Sequence, residues 1–260
     1  MVTRSPQGNL IRAVCTAAAA HPPPRTVRTG CARTLRMIPR VKIDTAGIPG
    51  TDGELRLMRR GAEFSIMLGT NELMNSRLSG SEAALATLAA KRIETVKKPR
   101  VLIGGLGMGF TLRAALAVLG SGAKIVVAEL VPAVVVWAKG PMAEIFGGSL
   151  NDPRVDILET DVTEVIRSKP RAFDAILLDV DNGPEGLTRK ANDALYNAAG
   201  LKAAYAALRP GGVLAVWSSG PNPPFAKRVR GAGFGVNEVA IRATGKGVGA
   251  RHVIWIATKA

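Results

Sequence analysis

The chain has 260 residues, 47% hydrophobic but only 4% aromatic, so it can bury one large core built mainly of Ala, Val, Leu and Ile. No apolar run reaches the roughly 18–20 residues that span a bilayer, which excludes a helical membrane protein. Cys15 and Cys31 both lie near the start and the two histidines, His21 and His252, lie far apart, so no disulfide framework, cysteine zinc site or histidine metal centre is expected beyond residue 36, and a reducing, cytoplasmic setting fits.

The formal net charge of +15 is concentrated at the two ends. Residues 1–40 contain seven Arg and no acid, and residues 207–260 carry eight Lys/Arg against Glu238 alone. Residues 1–36 have no clean periodicity and read as a disordered basic extension. Their Arg-rich, acid-free character also fits an organelle transit peptide, and Met37 could be a later start. Residues 37–78 read as a small β region, with alternating strands at 41–44 and 54–59, a turn at 50–53, and a third strand at 64–68 closed by Gly69-Thr70-Asn71. A helix is expected over 79–96, capped by Ser79 or Ser81, with Leu85, Leu88 and Ile93 as its apolar stripe.

From residue 79 to 260 the expectation is one α/β domain. Strands are read at 101–103, 125–129, 155–159, 175–179 and 213–217. Helices are read at 111–119, from 131 to 137, at 191–208 ended by Pro210-Gly211-Gly212, and at 225–233. Two closing strands, 236–241 and 252–257, have no long helix between them and so predict an antiparallel edge. This alternation gives a seven-stranded, mostly parallel sheet with helices on both faces.

The most informative stretch is Gly105-Leu106-Gly107-Met108-Gly109, placed between a buried strand and a helix, with Glu129 ending the next strand. Such a unit suits a nucleoside-bearing ligand. Its glycines admit close backbone approach, and we place Gly107 and Gly109 where a side chain would collide with the ligand. The acid accepts hydrogen bonds from vicinal ribose hydroxyls. Asp161, with Val162 beside it, follows the third strand and reads either as an acceptor for an adenine amino group or as a helix N-cap. Asp179, Asp181 and Asn182 follow the fourth strand, beyond whose carboxyl end ligands of open α/β sheets bind; acids there can orient or deprotonate a nucleophile and attract a cationic amine, and the stretch also reads as a polar turn set by Asn-Gly-Pro.

These residues together resemble the spermidine synthase (polyamine aminopropyltransferase) family, within the wider class of S-adenosylmethionine-dependent methyltransferase folds, from about residue 41 to 258. The resemblance implies a Rossmann-like domain behind a small N-terminal β region, and a homodimer. It implies that Gly105, Gly107, Met108, Gly109, Glu129, Asp161 and Val162 hold the adenosyl donor. It further implies that Asp179 and Asp181 are catalytic and that Glu82 and Asn182 bind the amine acceptor, with no metal. Met108 stands where the family has an aspartate that holds the donor's amino group. Only Glu82 survives of the family's Tyr-Gln/His-Glu segment, at Gly80-Ser81-Glu82.

Two reactions stay open on these residues: aminopropyl transfer from decarboxylated S-adenosylmethionine to an acceptor such as putrescine, and methyl transfer from S-adenosylmethionine to another acceptor. Nucleic-acid binding is a third reading, resting on Lys227, Arg228, Arg230, Arg242, Lys246 and Arg251, though no aromatic platform is interleaved with them. A dinucleotide dehydrogenase is a weaker rival, because the loop is GxGxG and no second nucleotide-binding half is visible. His252 reads as a structural residue at the start of the last strand.

Overall fold

The computed structural model describes residues 38–77, 79–180, 184, 194–244 and 249–260. The basic segment 1–36, Asp181, Asn182 and Lys246 therefore lie outside the described residues.

Four strands, β1 (Val41–Gly47), β2 (Glu54–Arg60), β3 (Glu63–Leu68) and β4 (Asn71–Asn75), form an antiparallel meander. In β2 the alternation places Leu55 and Leu57 inward while Glu54, Arg59 and Arg60 stay exposed, the signature of a sheet with one wet face. The strand Asn71–Asn75 was not expected. It has a polar sequence, yet Met74 pairs with Ile66 and Asn71 with Leu68.

The second sheet has seven strands: β5 (Arg100–Gly104), β6 (Lys124–Glu129), β7 (Val155–Glu159), β8 (Phe173–Leu178), β9 (Leu208–Ser218), β10 (Phe234–Arg242) and β11 (Arg251–Lys259). Their order is β10-β11-β9-β8-β5-β6-β7. The run from β7 to β9 is parallel, whereas β11 pairs antiparallel with β9 and β10 with β11. The seven-stranded, mostly parallel sheet with an antiparallel edge is as expected.

The central strands carry unbroken apolar runs, at 101–103, 175–178 and 213–217, because both faces are covered there, and their side chains alternate between two cores. Val101, Ile103, Ala175, Leu177, Val213 and Ala215 point to one core, which also takes in Leu55, Leu57, Phe64 and Ile66 of the small sheet. Leu102, Ile176, Leu178, Leu214 and Val216 point to the other. The two sheets thus share a core.

Helices α1 (Gly80–Arg92), α2 (Phe110–Val118), α3 (Pro132–Lys139) and the short α4 (Ala143–Phe146) contribute to the first core; α5 (Val162–Ser168), α6 (Ala198–Ala207) and α7 (Pro223–Gly231) contribute to the second. Caps set several starts. Asn197 accepts from Gly200 N, and Asn222 accepts from Phe225 N with Pro223 beginning the helix. Three expectations need correction. Neither serine caps α1: Ser79 makes no cap bond and Ser81 is engaged elsewhere. The expected helix over 191–208 is interrupted: residues 194–196 are helical, and Asn197 breaks the run and caps α6, which restarts at Ala198. Pro210-Gly211-Gly212 does not separate helix from strand; it lies within β9 as a bulge, since Leu208 pairs with Phe173 and Val213 with Ala175. Among the described residues no helix is long and apolar enough to cross a membrane.

Candidate active site

The carboxyl ends of β5, β6, β7 and β8 open onto a cavity of about 150 Å³. The sheet order reverses around β5, which has β6 on one side and β8 on the other, so the loops after these strands diverge and leave a crevice. The small sheet closes the crevice with Ile48, Leu55, Ile66, Leu73 and Met74.

The glycine loop forms one wall. Gly105, Gly107 and Gly109 have φ of 89°, 50° and 73°, the left-handed region that side chains disfavour. Their surroundings differ. A Cβ on Gly105 would sit 2.6 Å from the Asp179 carbonyl oxygen, and one on Gly107 would sit 3.0 Å from Met74 Sδ, facing the cavity. Gly109 corrects an expectation: it precedes α2, and a side chain there would overlap the Phe146 ring of α4 instead of a ligand.

Glu129 ends β6 facing this loop. Its Oε2 accepts from Leu106 N (2.8 Å) and its Oε1 from Val131 N (2.9 Å). Burial pushes its carboxyl pKa up, against the lowering effect of these backbone N–H groups. The carboxylate thus ties the loop to the start of α3, and it also lines the cavity with Gly105, Gly107, Asp161, Val162 and Asp179. Asp161 does two things at once: it accepts from Thr163 N at 2.8 Å as the N-cap of α5, and it lines the cavity.

A second cavity of about 60 Å³ adjoins the first. Leu73, Met74, Gly107 and Asp179 line both, and Glu82, Leu106, Met108, Phe110 and Trp217 complete the smaller one. Asp179 therefore stands at the junction. Its Oδ2 accepts from Thr111 Oγ1 at 2.6 Å, and the same hydroxyl oxygen lies 3.3 Å from the Glu82 carbonyl. Burial first, and the charge of Glu82 second, push the Asp179 carboxyl up to about 7, while the Thr111 hydrogen bond pulls it down. Asp179 is partly buried and lines both cavities.

The structure thus brings Glu82, Gly105, Gly107, Met108, Glu129, Asp161, Val162 and Asp179 to two touching cavities and leaves Gly109 out. Sequence reasoning missed the small sheet's apolar lid, Thr111 and Trp217. Thr111 had a local signal, a hydroxyl in the first turn after the glycine loop; Trp217 had none. Of the basic residues read as a nucleic-acid patch, Arg228 packs over the Phe225 ring and donates to Tyr196 O, Arg230 pairs with Glu238, and Arg242 donates to Gly249 O.

No protein-family model matches the chain. It is 33% identical over 124 residues to polyamine aminopropyltransferase 2 of Pseudomonas aeruginosa, covering 46% of this chain and 33% of that protein. It is 31% identical over 145 residues to polyamine aminopropyltransferase of Mycobacterium tuberculosis, covering 52% and 27%. The matched part is thus about a third of these relatives' length or less. Among solved structures, spermidine synthase from Thermotoga maritima superposes with a TM-score of 0.65 at 19% identity, over 84% of this chain and 73% of that one. A spermidine synthase in complex with the transition-state analogue AdoDATO gives 0.65 at 18% identity, over 84% and 72%. The chain therefore has the class I methyltransferase-like fold of the spermidine synthases, with a small antiparallel sheet before it, and its sequence is similar in part to polyamine aminopropyltransferases.

Proposed function

We propose that this protein transfers an aminopropyl group from decarboxylated S-adenosylmethionine to a small amine such as putrescine. One observation carries the reading: Asp179, a carboxyl with a pKa raised to about 7, stands where a larger, apolar-lidded cavity meets a smaller acidic one. The larger cavity suits the adenosyl sulfonium, with Glu129 for the ribose hydroxyls, Asp161 and Val162 for the base, and Gly107 giving close backbone approach. Three carboxyls in that wall favour a cation.

The acceptor enters the smaller cavity as an ammonium, drawn by Glu82 and Asp179. Asp179 takes its proton, which a carboxylate of raised pKa does better than an ordinary one. The freed nitrogen lone pair attacks the propyl carbon bonded to sulfur. The new C–N bond forms as the C–S bond breaks, and the sulfur leaves with the electron pair as neutral 5′-methylthioadenosine. Holding the two reactants in adjoining cavities supplies the proximity that dominates such a displacement. The wall at Met108 is apolar, so the donor's terminal amine needs a partner other than this residue.

The test supplies the purified chain with putrescine and either decarboxylated or intact S-adenosylmethionine. Formation of 5′-methylthioadenosine and spermidine from the decarboxylated donor is expected. S-adenosylhomocysteine from the intact donor, with no methylthioadenosine from the other, would replace the reading with methyl transfer.

A further inference from the structure

Four side chains from three separate elements meet behind the smaller cavity. Ser81 and Glu82 stand in the first turn of α1, Trp217 near the end of β9, and His252 near the start of β11. Ser81 is 1% exposed, and its Oγ lies 2.7 Å from Glu82 Oε2 and 2.9 Å from His252 Nδ1. The His252 ring meets Trp217 edge to face, centroids 4.8 Å apart. The same turn of α1 is tied to the closing hairpin a second time, where Gly80 N donates to Ala243 O at 3.0 Å.

The direction of this chain follows from donor and acceptor inventory. An ionised carboxylate only accepts, so Ser81 gives its single hydroxyl proton to Glu82. The Ser81 oxygen then faces Nδ1 with a lone pair, and Nδ1 must carry hydrogen. Burial holds the His252 pKa below its ordinary value, against the opposing charge of Glu82, and so favours the neutral ring. A neutral imidazole has one N–H, and here the geometry fixes it on Nδ1, the tautomer that free histidine disfavours.

We propose that His252 is a positioning residue for the acceptor: acting through Ser81, it fixes the Glu82 carboxylate on the wall of the smaller cavity, where the incoming ammonium is held beside Asp179. The role rests on the reading of that cavity as the acceptor site. Asp179 at the end of β8 and His252 on β11 both feel the charge of Glu82. From α2 comes the hydroxyl of Thr111, and of the hairpin's arginines Arg242 is turned to Gly249 O while Arg251 is exposed. A Glu82 released from the relay moves its charge relative to Asp179, and that charge helps hold the Asp179 pKa up.

Two readouts test this, one independent of activity. The chain has two histidines, so a His21→Gln variant leaves one imidazole for nitrogen-15 NMR at pH 8. The expected spectrum is a neutral ring protonated on Nδ1, reverting toward Nε2 in a Ser81→Ala background. A predominantly Nε2-protonated ring in the serine form would overturn the relay. The second readout is kinetic. His252→Phe and Ser81→Ala should each raise KM for putrescine about 3- to 10-fold, the worth of one polar contact. Both should leave KM for the adenosyl donor within about twofold and move the acid limb of the pH profile to lower pH. His252→Asn keeps a donor at the Nδ1 position and should restore most of the putrescine affinity, and the double variant should be no worse than either single one. Unchanged putrescine KM and pH limb in both single variants would sink the proposal, as would His252→Asn behaving like His252→Phe. Absence of aminopropyl transfer in the unmodified chain removes the proposed function instead, and the NMR result still decides whether the relay exists.

Discussion

Asp179→Asn should make the protein more stable at alkaline pH and nearly inactive. The Asp179 carboxyl is raised from 3.8 to about 7 in the folded protein. The folded state therefore binds this proton more tightly than the unfolded state. Between pH 4 and 7 the unfolded chain carries fewer protons, so the contribution of this group to stability falls as pH rises through that window and stays low above it. At roughly 1.4 kcal/mol for each pH unit the full cost at pH 8.5 is at most about 4 kcal/mol, and water entering the cavity screens it to about 2. Asparagine removes the charge and keeps an oxygen for the Thr111 hydroxyl. Urea unfolding of both forms at pH 5 and pH 8.5 measures the difference. The variant should gain about 2–4 kcal/mol over the parent at pH 8.5 and much less at pH 5, with kcat for aminopropyl transfer down by about 10²-fold or more. A stability difference that does not change with pH would refute the assignment of a raised proton affinity to this carboxyl. A variant that keeps its kcat would refute the assignment of proton acceptance to it.

Four other outcomes follow from single contacts. Gly109→Ala should lower stability by about 2–4 kcal/mol in urea unfolding, because a positive φ and an overlap with the buried Phe146 ring act together. Gly105→Ala should raise KM for both substrates and depress kcat, since its Cβ presses on the backbone that carries Asp179; an effect on donor KM alone would contradict this. Glu129→Gln offers one carbonyl oxygen to two backbone donors and should raise the donor Kd at least about tenfold by calorimetry, with little change in putrescine KM. Asp174→Ala, far from the cavities, strands the Arg100 N–H and the Arg209 guanidinium and should cost about 2–3 kcal/mol in urea unfolding without changing either KM.

The large sheet was legible because its central strands are buried on both faces and leave short apolar runs between glycines and polar turns, as in Val101-Leu102-Ile103 and Ala175-Ile176-Leu177-Leu178. The small sheet was legible only in part. Alternation marks Leu55 and Leu57, but Asn71–Asn75 is half exposed and polar, and only its pairing with β3 makes it a strand. The start of β9 was hidden by Pro210-Gly211-Gly212, residues that ordinarily break a strand and here form its bulge. In the site, Glu129 and Asp179 could be placed from their position at strand ends. The partner of Gly109 could not, because Phe146 sits on a four-residue helix too short to show periodicity. His252 could not either: its contact with Ser81 spans 171 positions and depends on the antiparallel return of the last hairpin.

Glycine in the first position of the loop answers to a different demand from the one its motif suggests. Gly105 N donates to Ala128 O on one side, and Asp179 N donates to Gly104 O on the other, so the chain leaving β5 is held between the ends of β6 and β8. Any Cβ at Gly105 would press on the Asp179 carbonyl before it reached a ligand. The glycine loop and the strand end that carries Asp179 are therefore in backbone contact, and their spacing does not depend on side-chain rotamers. That contact explains how one carboxyl can line both cavities. A displacement reaction needs the electrophilic carbon and the attacking nitrogen within a few tenths of an ångström of a productive distance. In the proposed reaction the two walls that would set that distance are neighbouring turns of the same sheet, placed at the point where its strand order reverses.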